Sequence, residues 1–165
     1  MKDKYFLYVG NAYPHKNLEM LLRAATLASV YLVFVGRDDY FYKRLHIRPK
    51  AVSDAKLADL YSHAGALVCP SLMEGFGLPA LEALSHGCPV IASDIPVFHE
   101  ILEDVPKYFD PHDEKALVEC LKNPPLRSKS FQEKAAKVVQ KYSWQKMAKE
   151  TLSVYENSVC LRQGQ

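Results

Sequence analysis

Long apolar runs, paired cysteines, excess charge and internal repeats are all missing from these 165 residues, and each absence removes a class of protein. No apolar run nears the roughly 20 residues that span a bilayer, so at most peripheral membrane association is expected. The four cysteines, Cys69, Cys88, Cys120 and Cys160, show no C-x-x-C spacing. That argues against a zinc site and against a disulfide framework, and Cys69 and Cys88, set in apolar runs, read as small core residues. A net charge of +2 is no footprint for nucleic acid. The opening Met1-Lys2-Asp3-Lys4-Tyr5 has an acid where a secretory leader needs an apolar run, which predicts a cytoplasmic protein. No low-complexity tract interrupts the chain. What remains is an ordinary globular composition, 48% hydrophobic and 24% charged, in a length that buries a core as a single domain.

Apolar runs ending at glycine or turn residues place the strands. Residues 5–9, 30–35, 66–69 and 88–92 are continuous apolar stretches of the kind buried on both faces of a parallel sheet, and residues 107–109 make a last short one. Helical spacing of Leu18, Leu21, Leu22, Ala25 and Ala28 after Asn17, a plausible N-cap, completes a strand–helix–strand unit with a right-handed crossover. Ser53 reads as the N-cap of a helix carrying Leu57, Leu60, Tyr61 and Ala64, with Gly65 as its C′ stop. Gly87 closes the next helix, residues 97–102 form a short one, and Asp113 caps a helix over 114–122. Asn123-Pro124-Pro125 is the clearest break. Two helices follow, over 130–142 and 143–159, the second capped by Ser143 and striped with Trp144, Met147, Leu152 and Tyr155. The tail from Arg162 reads as frayed. Residues 1–123 are thus expected to form the core, and 124–165 helices that pack on it or cross from it, in one α/β domain.

One stretch carries chemistry: Leu67-Val68-Cys69-Pro70-Ser71-Leu72-Met73-Glu74-Gly75-Phe76-Gly77-Leu78-Pro79-Ala80-Leu81-Glu82-Ala83. A buried strand runs into a loop with two glycines, and Pro79 opens a helix at its first position. Free N–H groups and the positive end of the helix dipole then converge on an anion site. Glu74 and Glu82 flank it, Glu82 expected in the first helical turn. Carboxylates repel a phosphate but accept hydrogen bonds from sugar hydroxyls. The constellation suits a ligand with phosphate in the middle and a polyol at each end, the shape of a nucleoside-diphosphate sugar. The bland alternative is that an acid near a helix start and a Gly-x-Gly loop are structural features taken singly.

The complete string resembles the E-x7-E signature of family 4 glycosyltransferases, within glycosyl transferases group 1. These are retaining, metal-independent enzymes of the GT-B fold, two Rossmann-like domains facing each other across a cleft. The resemblance runs from Tyr5 to about Glu156 and identifies the chain with the C-terminal, donor-binding half: a Rossmann-like three-layer parallel sheet with helices on both faces. It implies that Glu74 contacts the transferred sugar and Glu82 the ribose. The backbone of Gly75, Phe76, Gly77 and Leu78 would touch sugar and diphosphate, and Lys16 would hold the phosphates. Relatives carry Gly-Arg…Lys in the first loop. Here Gly10 and Lys16 match, Asn11 stands where the arginine is expected and counts as a polar contact, and His15 reads as a surface imidazole. Tyr-Pro-His-Lys is a variant common among bacterial mannosyltransferase-like members. Catalysis needs no metal or cofactor in this reading, in keeping with the lack of an Asp-x-Asp pair. The donor is a nucleoside-diphosphate sugar such as GDP-mannose or a UDP-sugar, and the product belongs to polysaccharide biosynthesis.

Two departures stand out. Relatives place a longer helix and a further strand in the region of residues 37–51, about fifteen residues more than are present, and the loop after that strand cradles the base. Relatives also carry an N-terminal domain for a glycan or lipid-linked acceptor ahead of the position of Met1. This chain alone is therefore expected to bind donor and to transfer sugar poorly, with the acceptor met through that missing domain or a partner chain. The alternative is a non-catalytic nucleotide-sugar-binding module or one subunit of a split transferase. A nicotinamide-dependent oxidoreductase, suggested by the match of residues 75–80 to G-x-G-x-x-A with Asp94 further on, is rejected. The match lies outside the first strand–helix–strand unit, Glu74 adjoins it, and the longer string explains more residues.

Overall fold

The apolar runs do become strands, and alternation within each divides them between two cores. The computed structural model describes residues 5–163, and side chains as far as residue 157. Its elements are β1 (Phe6–Val9), α1 (Leu18–Ala28), β2 (Leu32–Val35), α2 (Tyr40–Arg44), α3 (Asp54–His63), β3 (Ala66–Cys69), α4 (Leu78–Ser85), β4 (Val90–Ser93), α5 (Pro96–Leu102), β5 (Lys107–Phe109), α6 (Glu114–Lys122), α7 (Lys129–Val139) and α8 (Trp144–Gln163). The five strands are parallel in the order β2-β1-β3-β4-β5. This is a Rossmann-like α/β fold. Phe6, Tyr8, Ala66, Val68 and Ile91 face α1, α2 and α6. Leu7, Leu67, Val90 and Ala92 face α3, α4, α5 and α7. The period-two alternation of a strand thus gives both faces a helix layer.

The winding reverses between β1 and β3: β2 follows on one side of β1 and β3 on the other. Ligands of open α/β sheets bind outside the strand carboxyl ends at such a switch point. Here the loops after β1 and β3 meet there.

Caps set several boundaries. The Asp113 carboxylate accepts from the N–H groups of Lys115 and Ala116 (2.8 and 3.1 Å), and Ser53, Ser128 and Ser143 cap α3, α7 and α8. Four local expectations are corrected. Asn17 precedes α1 but does not cap it. Its backbone is left-handed (φ 56°), and its amide reaches across to the Pro111 carbonyl at 3.0 Å. Gly65 is no left-handed stop: Ala64 ends α3, and the Gly65 N–H donates to the Tyr5 carbonyl at the start of the sheet. Pro79 is the second helical residue, because Leu78 is the first, and Glu82 therefore lies in the second turn. The first C-terminal helix stops at Val139 rather than at 142.

The short region after β2 holds the five-residue α2 and one rung of sheet. Lys50 bridges Val35 in parallel, its N–H donating to Phe34 and its carbonyl accepting from Gly36. On α8, Trp144, Met147, Leu152 and Tyr155 are all more than half exposed. Cys160 and the tail from Arg162 lie outside the described side chains, and Met1 to Lys4 outside the described residues.

Candidate functional site

The loop after β1 is built from the sheet upward. Phenol groups pin it: Tyr8 donates to the Asn11 carbonyl (2.6 Å) and Tyr42 to the Gly10 carbonyl (2.9 Å). Burial pushes both hydroxyls well above the usual tyrosine range, so both stay protonated donors. Gly36 permits the approach of β2, since a Cβ there would fall 2.1 Å from the Gly10 oxygen. The Asn11 side chain accepts from the Tyr13 N–H at 3.3 Å, shaping the turn that leads into the 3-10 segment Pro14–Lys16. The His15 carbonyl accepts from the Leu72 N–H at 2.8 Å, which ties this loop to the one after β3.

That tie brings Lys16 to Glu74. The Lys16 ammonium and the Ser71 hydroxyl both donate to Glu74 Oε1, each at 2.7 Å. The ion pair is sheltered, its side chains only 16% and 17% exposed. One carboxylate oxygen is thus occupied by two donors. The other, Oε2, meets no donor among the described residues and can accept from a hydroxyl. Lys16 keeps two further N–H donors.

Beyond Glu74 the backbone leaves a run of donors unpaired. Among the described residues, the N–H groups of Gly75, Phe76, Gly77 and Leu78 meet no acceptor, and they sit at the positive end of α4. Gly77 is required twice: its φ is +88°, and a Cβ would lie 2.7 Å from the Phe98 ring. A Cβ at Gly75 would meet nothing within 4 Å, so the approach there is open. The Phe76 ring stands edge-on to Tyr142 with centroids 5.5 Å apart. Glu82, exposed on α4, accepts at Oε2 from the buried Tyr61 hydroxyl (3.2 Å), whose ring stacks on His86. Burial and the Glu82 charge both raise the Tyr61 hydroxyl above its ordinary range. Each acid of the pair is therefore gripped through one oxygen and open at the other.

The Cys69 thiol, at the end of β3, is pushed up by burial and by the Glu74 charge. Among the described residues no three His, Cys, Asp or Glu side chains converge on a point. Beside the loop, a cleft of about 660 Å³ opens between the carboxyl ends of β1 and β2, lined by Gly10, Asn11, Tyr13, Gly36, Asp38 and Asp39 among others.

Against this geometry, the model for glycosyl transferases group 1 matches residues 1–138. The chain belongs to that family. It is 40% identical to O-antigen chain mannosyltransferase RfbU of Salmonella typhimurium over 74% of this chain and 38% of the relative. It is 30% identical to O-antigen chain mannosyltransferase B of Escherichia coli over 92% of this chain and 45% of the relative. The chain thus spans less than half the length of these curated relatives. Sucrose-phosphate synthase (tll1590) from Thermosynechococcus elongatus superposes with a TM-score of 0.80 at 23% identity, over 97% of this chain and 46% of that one, a likeness of fold.

Lys16, Glu74 and the 75–78 backbone come together at the switch point, and Glu82 lies one turn along α4. Gly10 and Asn11 belong to the same loop as Lys16 but face the cleft on the β2 side. Sequence reasoning passed over Ser71 and Tyr61 as holders of the two acids. Ser71 lies three residues before Glu74 and is 1% exposed. A serine inside an apolar strand exit was the available signal, whereas nothing local marks Tyr61, 21 residues from Glu82.

Proposed function

We propose that this glycosyltransferase-family chain is the donor-binding half of a GT-B enzyme of family 4, taking a nucleoside-diphosphate sugar. The observation that carries the reading is the Lys16–Glu74–Ser71 cluster set against the free N–H groups of residues 75–78. The diphosphate lies on those N–H groups and on Lys16. Glu74 Oε2 accepts from a hydroxyl of the transferred sugar and Glu82 from the ribose. As the bond from the anomeric carbon to the phosphate oxygen breaks, its electron pair moves onto the diphosphate. Fixed N–H groups and the ammonium meet that growing charge with no reorganisation. The acceptor hydroxyl forms the new bond and releases its proton to the departing phosphate, on the retained face and without a metal. Mannose, carried on GDP, is the sugar in the narrower reading, which the names of the relatives and the Tyr13-Pro14-His15-Lys16 loop support. The acceptor, a glycan or lipid-linked saccharide, approaches from across the cleft.

The test is calorimetric titration of the chain with UDP, GDP, ADP and their common sugars, with Glu82→Ala as control. Selective binding of one diphosphate, weakened in the variant, is the expected result. A folded chain that binds none of them would overturn the donor-site reading. The second reading, a binding module without activity of its own, rests on the same donor site. It is favoured if donor binds but no hydrolysis or transfer occurs until a second chain is added.

A further inference from the structure

Four cations of this chain cluster where none of the donor chemistry uses them. Lys43, Arg44, Arg48 and Lys50 fall within eight residues, and no Asp or Glu occurs between Asp39 and Asp54. Since the whole chain is +2, the remainder is net negative. All four side chains are exposed, and among the described residues none makes an ion pair, in contrast to Lys134 and Lys141, which sit on Asp104 and Glu103. The backbone explains the grouping. Phe41, Leu45 and Ile47 pack inward on the α1–α6 side of the sheet, which leaves the alternate positions outward. The left-handed turn at His46 (φ 56°) then leads to Lys50, which covers the edge of β2. Tyr40, at the start of α2, is 69% exposed and adds an amphipathic ring.

We propose that residues 40–50 form a docking surface for an anionic lipid bilayer, with the four cations on headgroup phosphates and Tyr40 at headgroup depth. Juxtaposed lysines and arginines each add about fivefold to partitioning onto an anionic surface, and tyrosine suits the polar–apolar boundary. A bilayer fits better than a nucleic acid strand, because the hollows beside the patch carry acids. Glu19 shares one with Arg44, and Asp38 and Asp39 share the other with Arg37, so neither offers a phosphate chain a continuous basic groove, whereas a flat surface needs none. Arg37, Asp38 and Asp39 join the cleft directly to α2, so a membrane holding this patch lies beside the ligand-facing loops. The inference stands on charge and exposure and does not depend on which donor is bound.

The experiment is co-sedimentation of the chain with vesicles of phosphatidylcholine alone and with about 30% phosphatidylglycerol, in about 50 and 500 mM salt. Lys43→Gln/Arg44→Gln/Arg48→Gln/Lys50→Gln is compared with Lys122→Gln/Lys129→Gln/Lys137→Gln/Lys149→Gln, which removes the same charge elsewhere. Circular dichroism confirms that both are folded. The expected result is binding only to anionic vesicles, lost in high salt, and lowered about a hundredfold or more by the first set and far less by the second. Equal loss in both sets, equal binding to neutral vesicles, or no vesicle binding by the folded chain would overturn the proposal. So would retention on DNA or heparin without vesicle binding.

Discussion

Replacing Lys16 by alanine and Glu74 by glutamine should separate the phosphate contact from the sugar contact. The Lys16 ammonium lies 2.7 Å from Glu74 Oε1. At an effective dielectric of about 20, two unit charges at that distance attract by about 6 kcal/mol, much of it cancelled by the desolvation of both groups. A diphosphate arriving at Lys16 therefore competes with Glu74. Lys16→Ala removes a charge-assisted hydrogen bond to phosphate worth about 2 kcal/mol, so the affinity for nucleoside diphosphate should fall about thirtyfold. The affinity for the diphosphate sugar should fall by a similar factor. Glu74→Gln keeps the shape, frees Lys16 and removes a negative charge from the phosphate site. The bare nucleoside diphosphate should then bind as well as before or several-fold better, while the sugar-bearing ligand loses its extra affinity. Calorimetric titration of both ligands against both variants, with thermal melts as a folding control, reads the four numbers. If Lys16→Ala stays folded and binds nucleoside diphosphate within about twofold of the parent, phosphates do not sit on Lys16 and the reasoning fails.

Tyr61→Phe deletes the donor that grips Glu82 and leaves the ring stacked on His86. Binding should weaken several-fold for ribonucleotides and not for 2′,3′-dideoxy analogues, and an equal effect on both would deny Glu82 its ribose contact. Gly77→Ala places a Cβ at φ +88° and 2.7 Å from Phe98. Strain and overpacking together should cost about 3 kcal/mol in urea unfolding, and a loss under about 0.5 kcal/mol would contradict the backbone assigned to this loop. Stability should also fall above pH 9. Burial raises the Cys88 thiol from 9.0 to about 11, so the unfolded chain releases this proton first and the folded state is disfavoured as pH rises. This thiol contributes a slope of up to about 1.4 kcal/mol per pH unit between those values. Burial also raises the Cys69 and Cys120 thiols and the buried phenols, which in the unfolded chain release their protons over the same range. Urea midpoints at pH 8, 9 and 10 should therefore fall, and Cys88→Ala should reduce the slope by that one group's share without abolishing it.

The elements of the fold were legible in the sequence because their causes are local. Continuous apolar runs make strands buried on both faces, and Ser53, Asp113 and Ser143 each cap a helix through an N–H two or three residues away. The string from Glu74 to Glu82 was legible for the same reason, since strand, glycine loop and helix start are consecutive. Local logic failed where a distant partner outbid it. Asn17 has the chemistry of a cap, yet its amide goes to Pro111, 94 residues away, and the Gly65 N–H joins the sheet through Tyr5. Only the tertiary structure decided that Lys16 and Ser71 share one oxygen of Glu74, 58 and three residues off. It also decided that Tyr61 holds Glu82, that Gly36 must lack a Cβ beside Gly10, and that the segment after β2 adds a single rung of sheet at Lys50. Periodicity and capping report which face a residue turns inward. Which residues of different elements then meet depends on strand order and on the reversal of winding between β1 and β3, and no stretch of sequence contains that by itself.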